Sequence, residues 1–541
     1  MLRFEDHGEH DRKVLENQSR LRRDVRPGFD FIVCGAGPGG SVVAARLAED
    51  RDAHVLLLEA GGDDLSDAVS NPARWPENLG SARDWAFESA PCPQLDGRRL
   101  PLNMGKGLGG GSSINVMVWA RGHRSDWDHF ARASGDPAWG YRSVLDYYRR
   151  IEDWQGAPDA QRRGTGGPVH VAQPLSPQPL AHATVEAAGL AGLPVFDAAN
   201  GEMMEGPGGA AIAELTIRDG RRRSVFRAYA WRRMHQPNLT VLTGAQVTRV
   251  LFDGRRATGV EALVDGVSTR FDAASEVVLA LGALNTPKVL MQSGVGPEEE
   301  LSRHGVPLVL DLPGVGRNHQ DHIAFGCTWE YRRPQPVGGG GCEAVIYGRG
   351  EPGLDAPDLL QCQLEFAVPS PAAPDATPEH GWTMFAGLAR PKSRGRVRLS
   401  GPGPQDPLLI EPNALGAPED LEAARRTVEL CREIGGAPAL SELVKREVLP
   451  PPRDRAGMET FLRRAAVTFW HQCGTAKMGR DSMAVVDGAL RVRGIDNLRV
   501  ADASIMPRIT VGNTMAPCVV IGERAADMIR AAHGVDVSAN V

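Results

Sequence analysis

The stretch "FDFIVCGAGPGGSVVAARLAED…HVLLLEAGG", residues 29–62, does most to limit what this chain can fold into. An unbroken apolar run, a glycine turn, a helical pattern and a second apolar run follow one another without a linker. Apolar runs of that length read as strands buried on both faces, and such strands belong to a parallel sheet covered by helices. The unit is therefore β-α-β. Gly35, Gly37 and Gly40 form G-x-G-x-x-G between the first strand and the helix. Gly35 permits the turn, Gly37 lets the backbone reach a pyrophosphate, and Gly40 lets the helix pack closely. The helix N-terminus then holds phosphate through its free N–H groups. Glu59 ends the second strand about 20 residues on, where an acid can accept hydrogen bonds from a ribose diol. The alternative is a tight turn in an unrelated α/β sheet. The fingerprint does not separate NAD from FAD.

A second glycine cluster, "KGLGGGSSIN" at 106–115, places little side chain where order continues. It reads either as a tight turn or as a surface on which a flat ring lies against the backbone. Further along, "NLTVLTGAQVTRVLFDG" predicts a hairpin with a polar turn. "SEVVLALGA" and "NLRVADAS" predict strands, and "APCVVIGERAADMIRAAHG" predicts a last helix capped by Gly534. With 541 residues the chain exceeds one ordinary core. Residues 154–180 and 333–382 differ in texture, being rich in Pro and Gly. The expected division is a discontinuous cofactor domain over 28–154, 226–315 and 479–541, with a substrate domain over 155–225 and 316–478 inserted into it. Residues 1–27 form a charged extension. No internal repeat is present.

Net charge is -6, with Lys and Arg scattered, so nucleic acid is not an expected partner. The run Arg221 to Arg223 reads as a solvated turn. The eight cysteines show no CxxC pair and no zinc spacing with histidine, so buried reduced thiols and no metal are expected. The N-terminus lacks the apolar core of a signal peptide, and no apolar run is long enough to span a bilayer. A soluble, cytoplasmic protein is expected, and a homo-oligomer is allowed.

Four motifs in order resemble the glucose–methanol–choline (GMC) flavoprotein oxidoreductases. They are "GAGPGGSVVAARLAED…LLLEAG", "GKGLGGGSSINVMVWARG", "GALNTPKVLMQSGVGP" and "HQCGTAKMG…LRVADASIMP…GNTMAP". "LPGVGRNHQDH" and "SRGRVRLS" agree as well. The resemblance runs from about residue 28 to the C-terminal helix. It implies a two-domain α/β fold: a Rossmann-like FAD domain with an interleaved substrate domain built on an antiparallel sheet flanked by helices. It also implies FAD, with the isoalloxazine near residues 105–118. Glu59 then matches the residue on the adenosine ribose, and Val247 the backbone contact to adenine. Asn115 and Val118 match flavin contacts. Asp502 and Ala503 match contacts to the pyrophosphate and ribityl region, and Asn513 and Thr514 the loop beside the pyrimidine edge. Ala60, Gly105 and Gly110 join the cofactor-binding set. Some relatives carry a flavin-linked His where this chain has Ile114. An alkyl side chain cannot form that bond, so non-covalent FAD is expected.

By the same resemblance His471, in "TFWHQCGT", matches the catalytic base. An imidazole titrating near neutrality can take an alcohol's proton while the carbon gives hydride to flavin N5. The family's usual second His or Asn falls at Met515, whose thioether donates no hydrogen bond. Asn513, two residues earlier, is the candidate to reach the substrate oxygen; otherwise another side chain or water replaces the partner. Choline-oxidising relatives carry an acid two residues after the His of "QDH", and here Ala324 stands there. Phe469, Trp470 and Met515 suggest an apolar substrate pocket. The expected reaction is oxidation of a neutral primary alcohol, aryl, furanic or medium-chain, with oxygen or another electron acceptor. The alternatives are a choline-dehydrogenase-like or other alcohol dehydrogenase using a non-oxygen acceptor, a hydroxynitrile-lyase-like enzyme with non-redox FAD, and a flavin-binding protein without turnover.

Overall fold

The structure is a computed structural model that describes residues 8–450 and 454–534. The β-α-β unit appears as strand β1 (Gly28–Cys34), helix α2 (Pro38–Leu47) and strand β2 (Val55–Leu58), preceded by helix α1 (Glu9–Arg23). Four more strands follow: β3 (Leu239–Leu242), β4 (Ala245–Asp253), β5 (Arg256–Val264) and β6 (Val267–Leu279). With Leu498–Val500 these make a seven-stranded mixed sheet in the order β3-β2-β1-β6-β5-β4, the short strand pairing with β6. The pairs β3/β2, β2/β1 and β1/β6 are parallel, while β6/β5 and β5/β4 are antiparallel.

The hairpin expected over residues 238–254 does not form. β3 pairs with β2, and β4 turns back on β5. The reason lies in the two burial patterns. β3 is buried at every position, so it belongs in the helix-covered parallel layer. β4 is part-exposed and suits an antiparallel ribbon. The chain passes between them around the end of β2, where Gly61 and Glu59 accept hydrogen bonds from Gly244 and Ala245.

β3 is an edge strand, and α1 covers it. Gln18 donates Nε2–H to the Leu239 carbonyl at 2.8 Å and accepts from Val241 N–H at 2.9 Å. An exposed edge is thereby closed by a side-chain amide that mimics the next strand. Residues 1–7 of the charged extension lie outside the described residues.

The second large sheet is antiparallel throughout. Its order is Val444–Leu449, β7 (Ile323–Tyr331), β10 (Gly381–Leu388), β9 (Leu359–Leu364), β8 (Ala344–Gly348), then Gly209–Ile212; Val467–Thr468 also pairs with β7. Period-two alternation gives it two faces. Leu360, Cys362 and Leu364 of β9 cluster with Val118, Phe385 and Phe469 on one side. Gln361 points the other way and hydrogen-bonds Thr427 of helix α4 (Pro418–Gly435). The first face closes over the C-terminal ends of β1 and β2, which is where open parallel sheets place ligands. Helix α3 (Gly282–Gln292) and the last helix, α5 (Met515–His533, with Gly534 at φ 65°), complete the walls.

Candidate active site

Between the two sheets lies a cleft with about 1930 Å³ of space not filled by protein, open to solvent. Its dinucleotide end is built by backbone. No side chain caps α2 at Gly37, so the first N–H groups of that helix are free for an anion. A Cβ on Gly37 would meet nothing within 4 Å, so the cleft is open there. Gly40 does not line the cleft. A Cβ at that position would lie 1.9 Å from the Gly35 carbonyl oxygen, so Gly40 lets helix and turn touch. Glu59 and Ala60 line the same end, with Val247 beyond them. Glu59 accepts from Ala36 and Gly61 N–H, both at 2.9 Å. Burial raises its pKa, and these donors oppose the shift.

Asp502 is held in the same manner. It accepts from Gly282 N–H at 2.9 Å, Thr286 Oγ1–H at 2.6 Å and Ser504 N–H at 2.8 Å. It therefore pins the start of α3 to the turn that carries Ala503. Opposite, Gly105 and Gly110 form a wall without side chains. Gly110 has φ +50°, and a Cβ there would sit 2.8 Å from Gly37 Cα. Asn115, Val118 and Thr514 border the cavity, and Ile114 presents only hydrocarbon to it. A helix start with free donors, an acid for a diol and a flat wall suit FAD. Among the described residues no group of three or more His, Cys, Asp or Glu is placed to hold a metal.

At the other end stand Phe469, Trp470, His471, Asn513 and Met515. The turn carrying His471 is organised by Asp321. This carboxylate accepts from His471 N–H at 2.9 Å, from Gln472 Nε2–H at 3.0 Å and, over a very short contact, from Thr468 Oγ1–H. Burial pushes Asp321 up to about 7 against these donors. Trp470 has φ 60°, a left-handed conformation that turns the next residue, His471, to the cavity. Its backbone N–H bonds Thr468 Oγ1 at 2.7 Å and its indole N–H donates to Asn103 at 3.0 Å.

His471 has a partner on each ring nitrogen. Its Nδ1 lies 2.9 Å from Nδ1 of His322, and its Nε2 lies 3.2 Å from Nδ2 of Asn513. The tautomers follow from the far end of this chain. His322 Nε2 lies 3.1 Å from the Ala389 carbonyl oxygen, which only accepts, so Nε2 carries the proton. Neutral His322 then accepts at Nδ1, and His471 must donate from Nδ1. That leaves His471 Nε2 with a bare lone pair, which meets the Asn513 amide N–H. Burial lowers His322 to about 4. Burial, with His322 adding to it, lowers His471 well below the ordinary imidazole value. Both rings are therefore neutral.

Met515 opens α5 and lines the cavity, and its sulfur accepts Asn115 Nδ2–H at 3.1 Å. The other end of the Asn115 amide accepts from Arg222 Nη1–H at 2.7 Å and Met117 N–H at 3.0 Å. This corrects the reading of residues 221–223 as a solvated turn. Arg221 and Arg223 are exposed, but Arg222 is buried, with Nε–H donating to the Val69 carbonyl and Nη1–H also reaching the Ser112 carbonyl. Burial lowers it to about 9. Sequence reasoning also assigned no role to Asp321 or His322. The "NHQDH" motif was their only local signal.

Two family profiles, both described as GMC oxidoreductase, match residues 29–324 and 391–522. The chain is 39% identical over 534 residues to the oxygen-dependent choline dehydrogenase of Citrobacter koseri, covering 93% of this chain and 95% of that one. It is 37% identical over 530 residues to the enzyme of the same name from Brucella ovis, covering 92% and 95%. Among solved structures, pyridoxine 4-oxidase from Mesorbium loti superposes with a TM-score of 0.87 at 36% identity, covering 94% of this chain and 100% of that one.

Proposed function

Because this chain belongs to the GMC oxidoreductase family, FAD-dependent enzymes acting on CH–OH donors, we propose that it oxidises a neutral primary alcohol to the aldehyde with His471 as base. The observation that carries this reading is the ordered chain from the Ala389 carbonyl through His322 and His471 to Asn513. It leaves one unprotonated nitrogen facing an apolar cavity. FAD, when bound, supplies the hydride acceptor. It is held without a covalent bond by the free N–H groups of α2, Glu59, the glycine wall and the turn at Asp502. The residues of the chain do the rest. A substrate hydroxyl donates its proton to His471 Nε2 and displaces the Asn513 amide from that lone pair. The freed amide N–H can then donate to the same oxygen as it gains charge. Such a donor is worth more in a dry site than in water.

Substrate class follows from what the cavity wall lacks. Ala324 of β7 is buried at the position expected of an acid in choline-oxidising relatives. Glu59 and Asp502 are the carboxylates on the wall among the described residues, and both are tied to backbone donors. Phe385, Phe469, Leu364 and Trp75 offer apolar surface instead. An aryl, furanic or medium-chain alcohol suits such a wall. The 36% identity to an enzyme named for pyridoxine, a hydroxymethylated aromatic ring, supports the aryl choice. A second reading, oxidation of choline, draws on the identity to choline dehydrogenases.

Anaerobic mixing with benzyl alcohol, a furanic alcohol, hexanol and choline separates the two readings. At least one neutral alcohol should bleach the flavin faster than choline; faster bleaching by choline would establish the second reading. Acid precipitation of the same protein should release all flavin as FAD. Flavin left in the pellet would overturn non-covalent binding.

A further inference from the structure

All eight cysteines are buried and unbridged. One pair nevertheless differs in placement from the rest. Cys342, just before β8, and Cys362, in β9, have their Sγ atoms 2.8 Å apart. A disulfide bond needs about 2.0 Å, so closure requires less than an ångström of movement. Backbone holds the two segments together: Glu365 N–H donates to the Gly341 carbonyl at 3.0 Å. The segment before Cys342 is four consecutive glycines, 338–341.

The second observation is access. Cys362 lines the cleft beside Phe385, Phe469 and His471, whereas Cys342 is fully buried behind it. Its hydrogen bond with Cys362, together with burial, holds Cys342 as the thiol. A small oxidant that enters the cleft therefore meets Cys362 first.

We propose that Cys342 and Cys362 form a peroxide-responsive thiol pair that closes to a reversible disulfide in the wall of the active-site cleft. The oxidant is hydrogen peroxide or an organic hydroperoxide. Cys362 sulfur, after losing its proton, attacks one peroxide oxygen. The O–O bond breaks, leaving a sulfenic acid and releasing water, or an alcohol from a hydroperoxide. Cys342 sulfur then attacks Cys362 sulfur, the S–O bond breaks, and hydroxide leaves with the Cys342 proton as water. Two sulfurs are oxidised and the two peroxide oxygens are reduced. The resolving thiol keeps Cys362 from passing to sulfinic acid, which thiols do not reverse. The pair acts whichever acceptor the enzyme uses, because peroxide from any source reaches the same cleft.

The test treats native, FAD-loaded protein with a small excess of hydrogen peroxide, blocks free thiols, and maps tryptic peptides without reductant. Arg349 lies between the two cysteines, so trypsin separates them and only a disulfide joins the fragments. The expected product is a Cys342–Cys362 linked peptide that dithiothreitol splits. Cys327 and Cys431 also hydrogen-bond each other but line no part of the cleft, so they should stay reduced. In Cys342→Ser, sulfinic acid at Cys362 should rise at least about tenfold over native protein. Two results would overturn the proposal. One is the absence of a Cys342–Cys362 linked peptide from peroxide-treated native protein. The other is linkage of Cys327 to Cys431 before Cys342 to Cys362. The first measurement needs no variant, so it does not depend on how a substituted chain folds.

Discussion

Replacing His322 tests the proton logic of the site without touching the proposed base. His322→Phe keeps a flat ring in a fully buried position and removes the acceptor that faces His471 Nδ1–H. A buried donor left unsatisfied costs about 1–3 kcal/mol. The His471 ring can escape that cost by moving its proton to Nε2, where the Asn513 amide oxygen could accept it after a flip. That tautomer has no lone pair for the substrate. If the cost falls on the reactive tautomer, about 1–3 kcal/mol converts to roughly 5- to 150-fold slower proton removal. Loss of the base itself should cost about 10² to 10⁴. The assay is the anaerobic rate of flavin bleaching by a saturating alcohol, with FAD content and thermal midpoint measured alongside. His322→Asn is the control, because its amide oxygen occupies nearly the place of Nδ1 and restores an acceptor. The expected order is native, then His322→Asn, then His322→Phe, with FAD content equal in all three. A His322→Phe rate within twofold of native would refute the tautomer argument. So would His322→Asn falling as far as His322→Phe.

Other consequences can be checked with the same assay. His471→Ala should slow bleaching at least about 100-fold with FAD retained. Because burial and His322 lower the pKa of His471, its neutral form persists to acid pH. The rate should therefore fall only below about pH 6.5, the ordinary imidazole value; a limb at higher pH that survives in Asp321→Asn would contradict this. Met515→Leu preserves volume but strands the Asn115 amide N–H, so a loss of a few-fold is expected, about what one neutral hydrogen bond is worth. Met515→Asn restores a polar partner and should retain or raise activity toward small alcohols; a fall below the Met515→Leu rate would count against that role. Gly37→Val places a branched side chain in the open approach at the start of α2 and should yield largely apo protein on absorbance. Full FAD occupancy in that variant would mean the phosphate lies elsewhere.

What the sequence determined by itself was local and periodic. A continuous apolar run followed by G-x-G-x-x-G specifies strand, turn and helix start, because Gly35 takes a left-handed φ of 98° and a Cβ on Gly40 would strike the Gly35 carbonyl. This motif and three others in order were enough to identify the family, and with it the fold class and the cofactor. They also singled out His471, whose neighbours in "TFWHQCGT" are contiguous in the chain. Pairings between distant segments were not legible. Nothing in "LTVLTGAQVTRV" says that its first half joins β2 while its second half joins β5. That choice depends on which layer offers burial on both faces. His322 and His471 are 149 residues apart, and they meet because Ile323 and Ala324 pair with Thr468 and Val467. A shift of one residue in that register would turn the alternating side chains to the opposite face and separate the two rings. Arg222 looked like a surface charge because its neighbours are charged, yet it is buried against the Asn115 amide. Which nitrogen of His471 carries the proton, and which thiol stands beside Cys362, are likewise decided by how the two sheets close on one another. Hydrogen-bond polarity and sulfur contacts are set by atoms brought together in space, and a single sequence does not encode those distances locally.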